Sequence, residues 1–144
     1  MSCVNCQCEQ NFCYRYCDYR RLPSLCGACE VQVVVLPNSD LKMGTPLARL
    51  PTGEYTAFNP SATPPQQFAG LLAIDWETDS DGYGYVNTPW HPYAGWREAP
   101  MYVGGTFRIA DLDITTAQLN AIIAQGRGAV IGDPNTLSGT LHLF

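Results

Sequence analysis

All seven cysteines of this 144-residue chain lie between Cys3 and Cys29, and the remainder of the chain has none. This crowding constrains the N-terminal segment strongly, because so short a stretch with few aliphatic side chains cannot fold by apolar burial alone. Two pairs have the C-x2-C spacing of a zinc knuckle: Cys3 with Cys6, and Cys26 with Cys29. These four cysteines are therefore predicted ligands of a zinc ion, whose binding would supply the missing folding energy.

Disulfide bonds are the alternative for the same segment. Cys8, Cys13 and Cys17 stand outside the two knuckles, and the odd total leaves one thiol free if all pairing is intramolecular. Iron–sulfur ligation and free thiols complete the alternatives. A redox-active centre is disfavoured, because neither C-x2-C pair opens a helix after a strand and residues 1–30 contain no histidine.

The charge balance of the chain is acidic, with a net charge of −5 and only eight Lys and Arg residues. A nucleic-acid partner normally needs a basic surface, so we expect no direct binding to nucleic acid. No apolar run reaches the roughly 18 residues that span a bilayer. The first residues also lack the basic and apolar regions of a signal peptide. We therefore expect that the protein does not associate with a membrane. We also expect that it folds in the compartment where the chain is made.

The composition changes near residue 30, which predicts a Cys-rich N-terminal arm or knot (1–30) followed by a β-rich domain (31–144). A β-branched run predicts a strand at about 31–36. The glycine-containing turn "PTGE" predicts a hairpin, and the apolar run at 68–74 predicts a buried strand. The stretch at about 77–100, rich in Gly, Pro, Trp and Tyr, is predicted to be a long loop insert.

Only one segment, "TTAQLNAIIAQG", has convincing helical periodicity. It places Leu119, Ile122 and Ile123 on one face, and Thr115 and Gln118 have the spacing of a capping box. Further strands are predicted at 101–109, 128–132 and 138–144. The sequence therefore predicts a mainly β fold with one short helix.

The acidic stretch "DWETDSDGYG" invites comparison with a calcium-binding loop, because Glu77, Asp79 and Asp81 alternate ahead of a glycine. The twelfth position of an EF-hand loop requires a bidentate glutamate, but that position is Thr88 here. An acidic turn facing solvent is the better interpretation.

The chain offers no complete catalytic set. Its only histidines are His91 and His142, and the second lies in an apolar C-terminal strand. The glycine-rich stretch "GRGAVIG" follows the predicted helix, whereas a phosphate-binding loop precedes one. We therefore expect that the protein is not an enzyme.

The segment "TPWHPYAGWREAP" combines aromatic side chains with three prolines. Its indoles could hold the segment against its own domain, or they could serve an interface, since interfaces are enriched in Trp, Tyr and Arg. The interface candidates are Trp90, Tyr93, Trp96 and Arg97. Stacking of Trp90 and Trp96 on sugar rings is a third possibility.

Five short segments occur in an order and at a spacing that resemble the phage-lambda-type head decoration proteins. They are "GTPLARL", "EYTAFNP", "FAGLLAIDW", "GTFRIADL" and the strand-rich tail after the helix. The resemblance covers about residues 40–144 and is most telling at 105–112, where this family has a Gly-x-Phe-Arg-type strand leading into a loop and helix. Residues 1–30 and the insert at 77–100 have no counterpart in it, so they inherit no role.

The resemblance implies a β-clip-like domain that forms a homotrimer on the outer surface of a virion and binds the major capsid protein. Such a protein is made in the host cytoplasm and stabilises the expanded shell by bridging capsid subunits. The capsid-binding arm of the family corresponds here to Val31, Val33, Val34, Val35 and Leu36. An uncharged strand of this kind readily pairs with another sheet edge. An internal strand of the same domain is the alternative.

Three functions therefore remain in comparison. The first is a structural capsid decoration, or cement, protein with no cofactor other than a zinc ion. The second is a small zinc-binding adaptor whose N-terminal knuckle recognises a partner. The third is a carbohydrate-binding virion surface module that uses Trp90 and Trp96. We expect the first.

Overall fold

A computed structural model describes residues 21–86 and 93–144. Within these ranges the chain forms eleven β-strands, a 3-10 turn at Ile109–Asp111 and one α-helix, α1, at Thr116–Ala124. The strands are β1 (Cys26–Val34), β2 (Asp40–Leu41), β3 (Pro46–Arg49), β4 (Tyr55–Ala57), β5 (Phe68–Leu72), β6 (Trp76–Thr78), β7 (Gly84–Val86), β8 (Tyr93–Trp96), β9 (Glu98–Arg108), β10 (Gly128–Asp133) and β11 (Ser138–Leu143). The prediction of a mainly β fold with one short helix is confirmed.

The larger sheet is antiparallel and is built around β9, its longest strand. Met101 and Tyr102 of β9 pair with β5 on one edge and with β1 on the opposite edge. β11 pairs with the later part of β9, at 105–108, on the same edge as β5. β10 extends the sheet beyond β11, and β3 and β4 extend it beyond β5. β1 therefore lies along nearly the whole of one edge of β9.

The hairpin predicted at "PTGE" is confirmed, and the two predicted C-terminal strands form a second hairpin at the other end of this sheet. β3 and β4 pair across the "PTGE" turn, where the N–H of Leu50 donates to the carbonyl of Glu54 at 2.7 Å. β10 and β11 pair across a turn in which Asp133 Oδ1 accepts the N–H of Asn135 at 2.9 Å. In both hairpins, the Pro, Gly, Asp and Asn residues that end the strands also form the turn.

The prediction of a long loop at 77–100 is wrong for the part of that stretch that the structure describes. β6, β7 and β8 form an antiparallel meander, which β2 completes as a four-stranded sheet. A Cβ atom at Gly84 would overlap the indole of Trp76, so the ring packs directly on the glycine backbone. The glycine at this position, which suggested a loop, is what the close packing of Trp76 requires.

The β-rich domain begins before the predicted boundary at residue 30. β1 crosses that boundary, and the buried Leu22 donates its N–H to the carbonyl of Ala73 at 2.7 Å. The N–H of Leu25 donates to the carbonyl of Thr106, also at 2.7 Å. The described residues of the predicted arm, 21–30, are therefore part of the sheet structure.

Helix α1 begins with the predicted capping box. Thr115 Oγ1 accepts the N–H of Gln118 at 3.1 Å, and Gln118 Oε1 accepts the N–H of Thr115 at 2.9 Å. Leu119 and Ile122 are buried, as expected, but Ile123 is exposed. One residue turns an α-helix by about 100°, so Ile123 leaves the face that Ile122 buries and the apolar stripe is narrower than predicted.

Apolar residues form two clusters on opposite faces of the larger sheet. The first lies against α1 and includes Phe58, Phe68, Phe107, Leu119 and Leu141. The second lies toward the smaller sheet and includes Val33, Val35, Leu47, Leu72 and Trp76. Successive residues of β5 contribute to different clusters, since side chains alternate between the faces of a strand. The centre of the sheet is thus covered on both faces.

Candidate functional site

β1 differs from its neighbours in the exposure of its side chains. Its first seven residues, Cys26–Gln32, are all exposed. Val31 has 41% of its surface accessible, and Leu25, just ahead of the strand, has 47%. In the part of the chain that the structure describes, β1 pairs with no strand other than β9. Just after β1, Val35 forms a parallel bridge with Tyr55 of β4, and the N–H of Leu36 donates to the carbonyl of Tyr55 at 2.9 Å. Ahead of that bridge, no described strand pairs with the outer side of β1, which carries exposed apolar side chains.

The two halves of β1 differ in regularity. From Glu30 to Val34 the pairing is one to one, and the partners run backward along β9 from Tyr102 to Glu98. Nearer the start, Gly27 and Ala28 together stand opposite Gly105, which is a β-bulge. A bulge disrupts the template that a further strand would need. The regular residues, Glu30–Val34, are thus the best candidate for strand addition, and we call them the β1 edge.

The five predicted arm residues lie in different environments. Val33 and Val35 are buried in the second cluster, and Val34 and Leu36 are half-buried. Val31 is the exposed member. The segment is thus a strand of the sheet in its own domain, which is the alternative that the sequence left open. A partner could reach Val31 and the backbone of the β1 edge, but not the side chains of Val33 and Val35.

An ion pair anchors β1 beside the segment that precedes it. Arg21 Nη2 bonds to Glu30 Oε1 and lies 3.4 Å from the hydroxyl of Tyr102, whose ring is 5.7 Å from the guanidinium. Glu30 Oε2 also accepts a bond of 3.0 Å from Gln32 Nε2. Burial lowers the pKa of Arg21, but attraction to Tyr102 and Glu30 outweighs it, so the net shift is upward. This pairing was not predictable from the sequence, because no local motif links the two residues.

The predicted zinc ligands are only partly within the described residues. Cys26 and Cys29 are free, exposed thiols on β1. Cys3 and Cys6 lie outside the described residues, so the four-cysteine site stays a prediction. Among the residues that the structure describes, no group of three or more His, Cys, Asp or Glu side chains is arranged to hold a metal ion.

The predicted aromatic interface is also divided. Trp90 lies outside the described residues, and only the backbone of Tyr93 is described, as the start of β8. Trp96 is half-buried against the second cluster, which favours a packing role for this indole. Arg97 stacks 4.7 Å from the ring of Tyr83 and donates to the carbonyl of Asp81 at 3.3 Å. Arg97 and Tyr83 therefore form one exposed contact next to the ends of β7 and β8.

The acidic turn and the C-terminal histidine have local roles. Asp79 Oδ1 accepts the N–H groups of Asp81 and Tyr83, both at 2.9 Å, so this carboxylate holds the turn between β6 and β7. His142 lies in β11, and its Nδ1 is 2.8 Å from Thr106 Oγ1. His91 is outside the described residues.

A cleft of about 310 Å³ lies where α1 begins, a feature that the sequence did not indicate. Its lining includes Lys42, Thr45, Asp113 and Gln118. Thr45 Oγ1 donates to the carbonyl of Lys42 at 2.6 Å and is 3.4 Å from Asp113 Oδ2. The hydroxyl is thus engaged within the protein, so this cleft is a weaker candidate site than β1.

No protein-family model matches the chain, and no curated protein or solved structure is significantly similar to it. Among the described residues, no helix is long and apolar enough to cross a membrane. The candidate site is therefore interpreted from its own geometry.

Proposed function

We propose that the protein is a structural virion protein that decorates the outer surface of a capsid and strengthens its shell. It acts as a homotrimer and bridges major capsid subunits, with the β1 edge as the contact strand. The resemblance of residues 40–144 to the lambda-type head decoration proteins supports this class of partner. The structural observation that carries the proposal is that the β1 edge pairs with β9 on one side only and carries the exposed Val31.

The chemistry of the β1 edge suits the addition of a strand. Backbone N–H and C=O groups supply affinity in such complexes, and alternate side chains supply specificity. Val31 offers an exposed apolar contact, and the charge of Glu30 is paired with Arg21. Sheet edges that must stay unpaired usually carry lysine or proline, and β1 has neither.

β10, at the far end of the larger sheet, is the rival edge. Its Ile131 is 79% exposed, more than any other large apolar side chain among the described residues. However, Gly132 follows with a φ of 142°, and a Cβ there would overlap the backbone of Ser138. This local distortion and the charge of Asp133 make β10 a poorer template than the β1 edge.

Stabilisation of the shell would follow from thermodynamic linkage. A protein that binds only the expanded shell favours that state by its binding free energy. A trimer also carries three contact strands, so the first attachment raises the effective concentration for the second and third. Weak individual contacts at β1 would therefore suffice for firm attachment.

The test is co-sedimentation with heads of a lambda-type phage stripped of their own decoration protein, in expanded and unexpanded forms. We expect binding to expanded heads at least about tenfold tighter, a difference of about 1.4 kcal/mol. Val31→Lys should abolish this binding by placing a charge on the β1 edge. The matched variant Ile131→Lys places the same charge on the rival edge and should bind normally. Light scattering should give a trimer of the 15.8 kDa chain, free or on the head.

Two results would contradict the proposal. One is equal binding to expanded and unexpanded heads, or to neither form. The other is normal binding by Val31→Lys together with lost binding by Ile131→Lys, which would transfer the contact to β10.

A further inference from the structure

Three neighbouring strands bring a thiol, a hydroxyl and an imidazole into one row. Cys26 of β1 stands directly opposite Thr106 of β9, and Thr106 stands opposite His142 of β11. Residues directly opposite each other on paired strands project from the same face of the sheet. Leu141 and Leu143, on either side of His142, are buried in the first cluster, so the row lies on the face away from α1.

Hydrogen bonds connect the three side chains in order. The thiol of Cys26 donates to Thr106 Oγ1, with 3.8 Å between sulfur and oxygen. Thr106 Oγ1 lies 2.8 Å from His142 Nδ1. A hydroxyl has one hydrogen and two lone pairs, so Thr106 can accept from the thiol while it donates to the imidazole. The row therefore offers a path for a proton from the sulfur to the ring of His142.

The row is open to molecules in solution. Cys26 and His142 are exposed, and Thr106 is half-buried. The second cluster, which covers the centre of this face, includes none of the three. The N–H of Leu25 donates to the carbonyl of Thr106 at 2.7 Å, which holds the start of β1 at this level of the sheet. A reagent can thus reach the sulfur in the folded protein.

Cys29 provides a comparison within the same strand. It is also an exposed thiol, but the bulge of β1 sets it opposite Gly104. A Cβ at Gly104 would lie 3.7 Å from the Cys29 sulfur, so this thiol stands beside bare backbone. Glycine has no side chain that could accept a proton. The two thiols of one C-x2-C pair therefore differ in their chemical surroundings.

The imidazole of His142 is the base that the Cys-rich segment itself lacks. The sequence disfavoured a reactive thiol partly because residues 1–30 contain no histidine. The fold supplies a histidine from the far end of the chain. The thiolate is the nucleophile of cysteine chemistry, and a base that takes the proton of the thiol makes the sulfur more reactive.

We propose that Cys26 is a nucleophilic thiol that attacks accessible disulfides of other molecules, with His142 as proton acceptor and Thr106 as relay. The proton of the thiol moves to Thr106, whose own proton moves to His142 Nδ1. The Cys26 sulfur then bonds to one sulfur of the disulfide. The other sulfur leaves and takes the proton back from His142. Cys26 is oxidised and the disulfide is reduced, so the step needs no further oxidant.

The product is a mixed disulfide at Cys26. Its formation consumes the thiol, so it is a single modification of the chain and requires no catalytic cycle. The inference is independent of the proposed function, because neither shell binding nor trimerisation enters the argument.

The experiment uses the full-length chain, reduced and then freed of reductant, with oxidised glutathione as the probe. Samples are quenched with N-ethylmaleimide at successive times, then reduced and labelled with iodoacetamide. Mass spectrometry then gives the reacted fraction of each cysteine. Trypsin cleaves after Arg21 and Lys42, so the peptide 22–42 carries Cys26 and Cys29 apart from the other five cysteines. We expect Cys26 to react at least about tenfold faster than Cys29.

Two variants of Thr106 test the relay. Thr106→Val removes the hydroxyl with little change of shape and should slow the reaction of Cys26 at least about tenfold. Thr106→Ser keeps the hydroxyl and should retain most of the rate. A role of Thr106 in the fold alone would not make the rate depend on the hydroxyl in this way.

A variant of the histidine tests the proton acceptor. His142→Gln keeps an oxygen that can accept from Thr106 but removes the base, so it should slow Cys26 at least about tenfold. Thr140→Val is the matched control, because Thr140 lies two residues before His142 on β11 and thus on the same face. This control should leave the reaction of Cys26 unchanged.

Circular dichroism of each variant separates loss of the relay from loss of the fold. Equal rates for Cys26 and Cys29 in the unaltered chain would overturn the inference, whatever the variants do. An unchanged Cys26 rate in folded Thr106→Val or folded His142→Gln would overturn it as well. So would a loss of rate in Thr140→Val as large as that in Thr106→Val.

Discussion

β5 and β1 are the two neighbours of the same two residues, Met101 and Tyr102 of β9, and they are held in different ways. Four of the five residues of β5 are buried, with side chains in the two apolar clusters. β1 has seven exposed residues and relies on the backbone ladder, Val33 and the Arg21–Glu30 pair. Burial is the main stabilising term in folding, so β5 should carry far more of the stability than β1.

The difference in burial indicates that β5 and β1 have different roles in the same sheet. A strand whose side chains are buried on both faces has little surface left for a partner. A strand with exposed side chains can change its contacts without disturbing the core. We therefore expect β5 to stabilise the fold and β1 to bind a partner. Each strand can be tested separately.

The largest effect is expected in β5. Leu71→Ala removes a fully buried side chain from the first cluster and leaves a cavity. Such substitutions cost about 3–5 kcal/mol in the free energy of unfolding. Urea denaturation followed by circular dichroism measures the change. A loss below about 1 kcal/mol would mean that β5 is not the main stabilising neighbour of β9.

A pair of glycine substitutions compares the two sides of β9 with the same chemical change. A Cβ at Gly70 of β5 would overlap the carbonyl oxygen of Tyr102, so Gly70→Ala should cost about 2–3 kcal/mol. A Cβ at Gly104, on the β1 side, would meet Cys29 at 3.6–3.7 Å, which is an ordinary contact. Gly104→Ala should therefore change stability by less than about 1 kcal/mol. Equal losses in the two variants would contradict the comparison.

A smaller effect is expected from the ion pair that anchors β1. The side chains of Arg21 and Glu30 are 6% and 28% exposed, although Glu30 as a whole residue is exposed. Arg21→Met therefore leaves a carboxylate whose charge water and Gln32 partly compensate. We expect a loss of about 1–2 kcal/mol, less than for a fully buried pair. Arg108→Met removes an exposed arginine from β9 and should cost less than about 0.5 kcal/mol. Thermal or urea unfolding of both variants decides whether the pair matters.

The smallest effect on stability is expected at Val31. This side chain is exposed and contributes to neither core cluster. Val31→Thr keeps the β-branched shape and should change the free energy of unfolding by less than about 0.5 kcal/mol. A larger loss would show that Val31 supports the fold, and would weaken its assignment to an interface.

The sequence predicted those parts of the fold whose signals are local. The capping box of Thr115 and Gln118 and the glycine turn of "PTGE" each act within a few residues. The meander of β6, β7 and β8 was missed because its strands are only three or four residues long and contain Gly, Trp and Tyr. Its pairing with β2 also joins residues such as Asp40 and Glu77 that are far apart in the chain.

The candidate site was predictable only in part. The β-branched run located the exposed strand, but nothing in it distinguished the buried Val33 from the exposed Val31. The same run gave no sign that β1 starts at Cys26, because Gly27 is compatible with a strand only through the bulge opposite Gly105. The exposure of each valine and the start of β1 both depend on contacts with residues far away in the chain. The sequence of a single strand does not show those contacts.

Amide hydrogen exchange at β1, measured with and without stripped, expanded phage heads, detects directly whether a strand is added to the β1 edge. We expect the amides of Glu30–Val34 that face away from β9 to exchange at least about tenfold more slowly in the complex, while those of β10 do not change. Bound protein whose β1 amides exchange at the same rate as in the free protein would contradict the assignment of β1 as the contact strand.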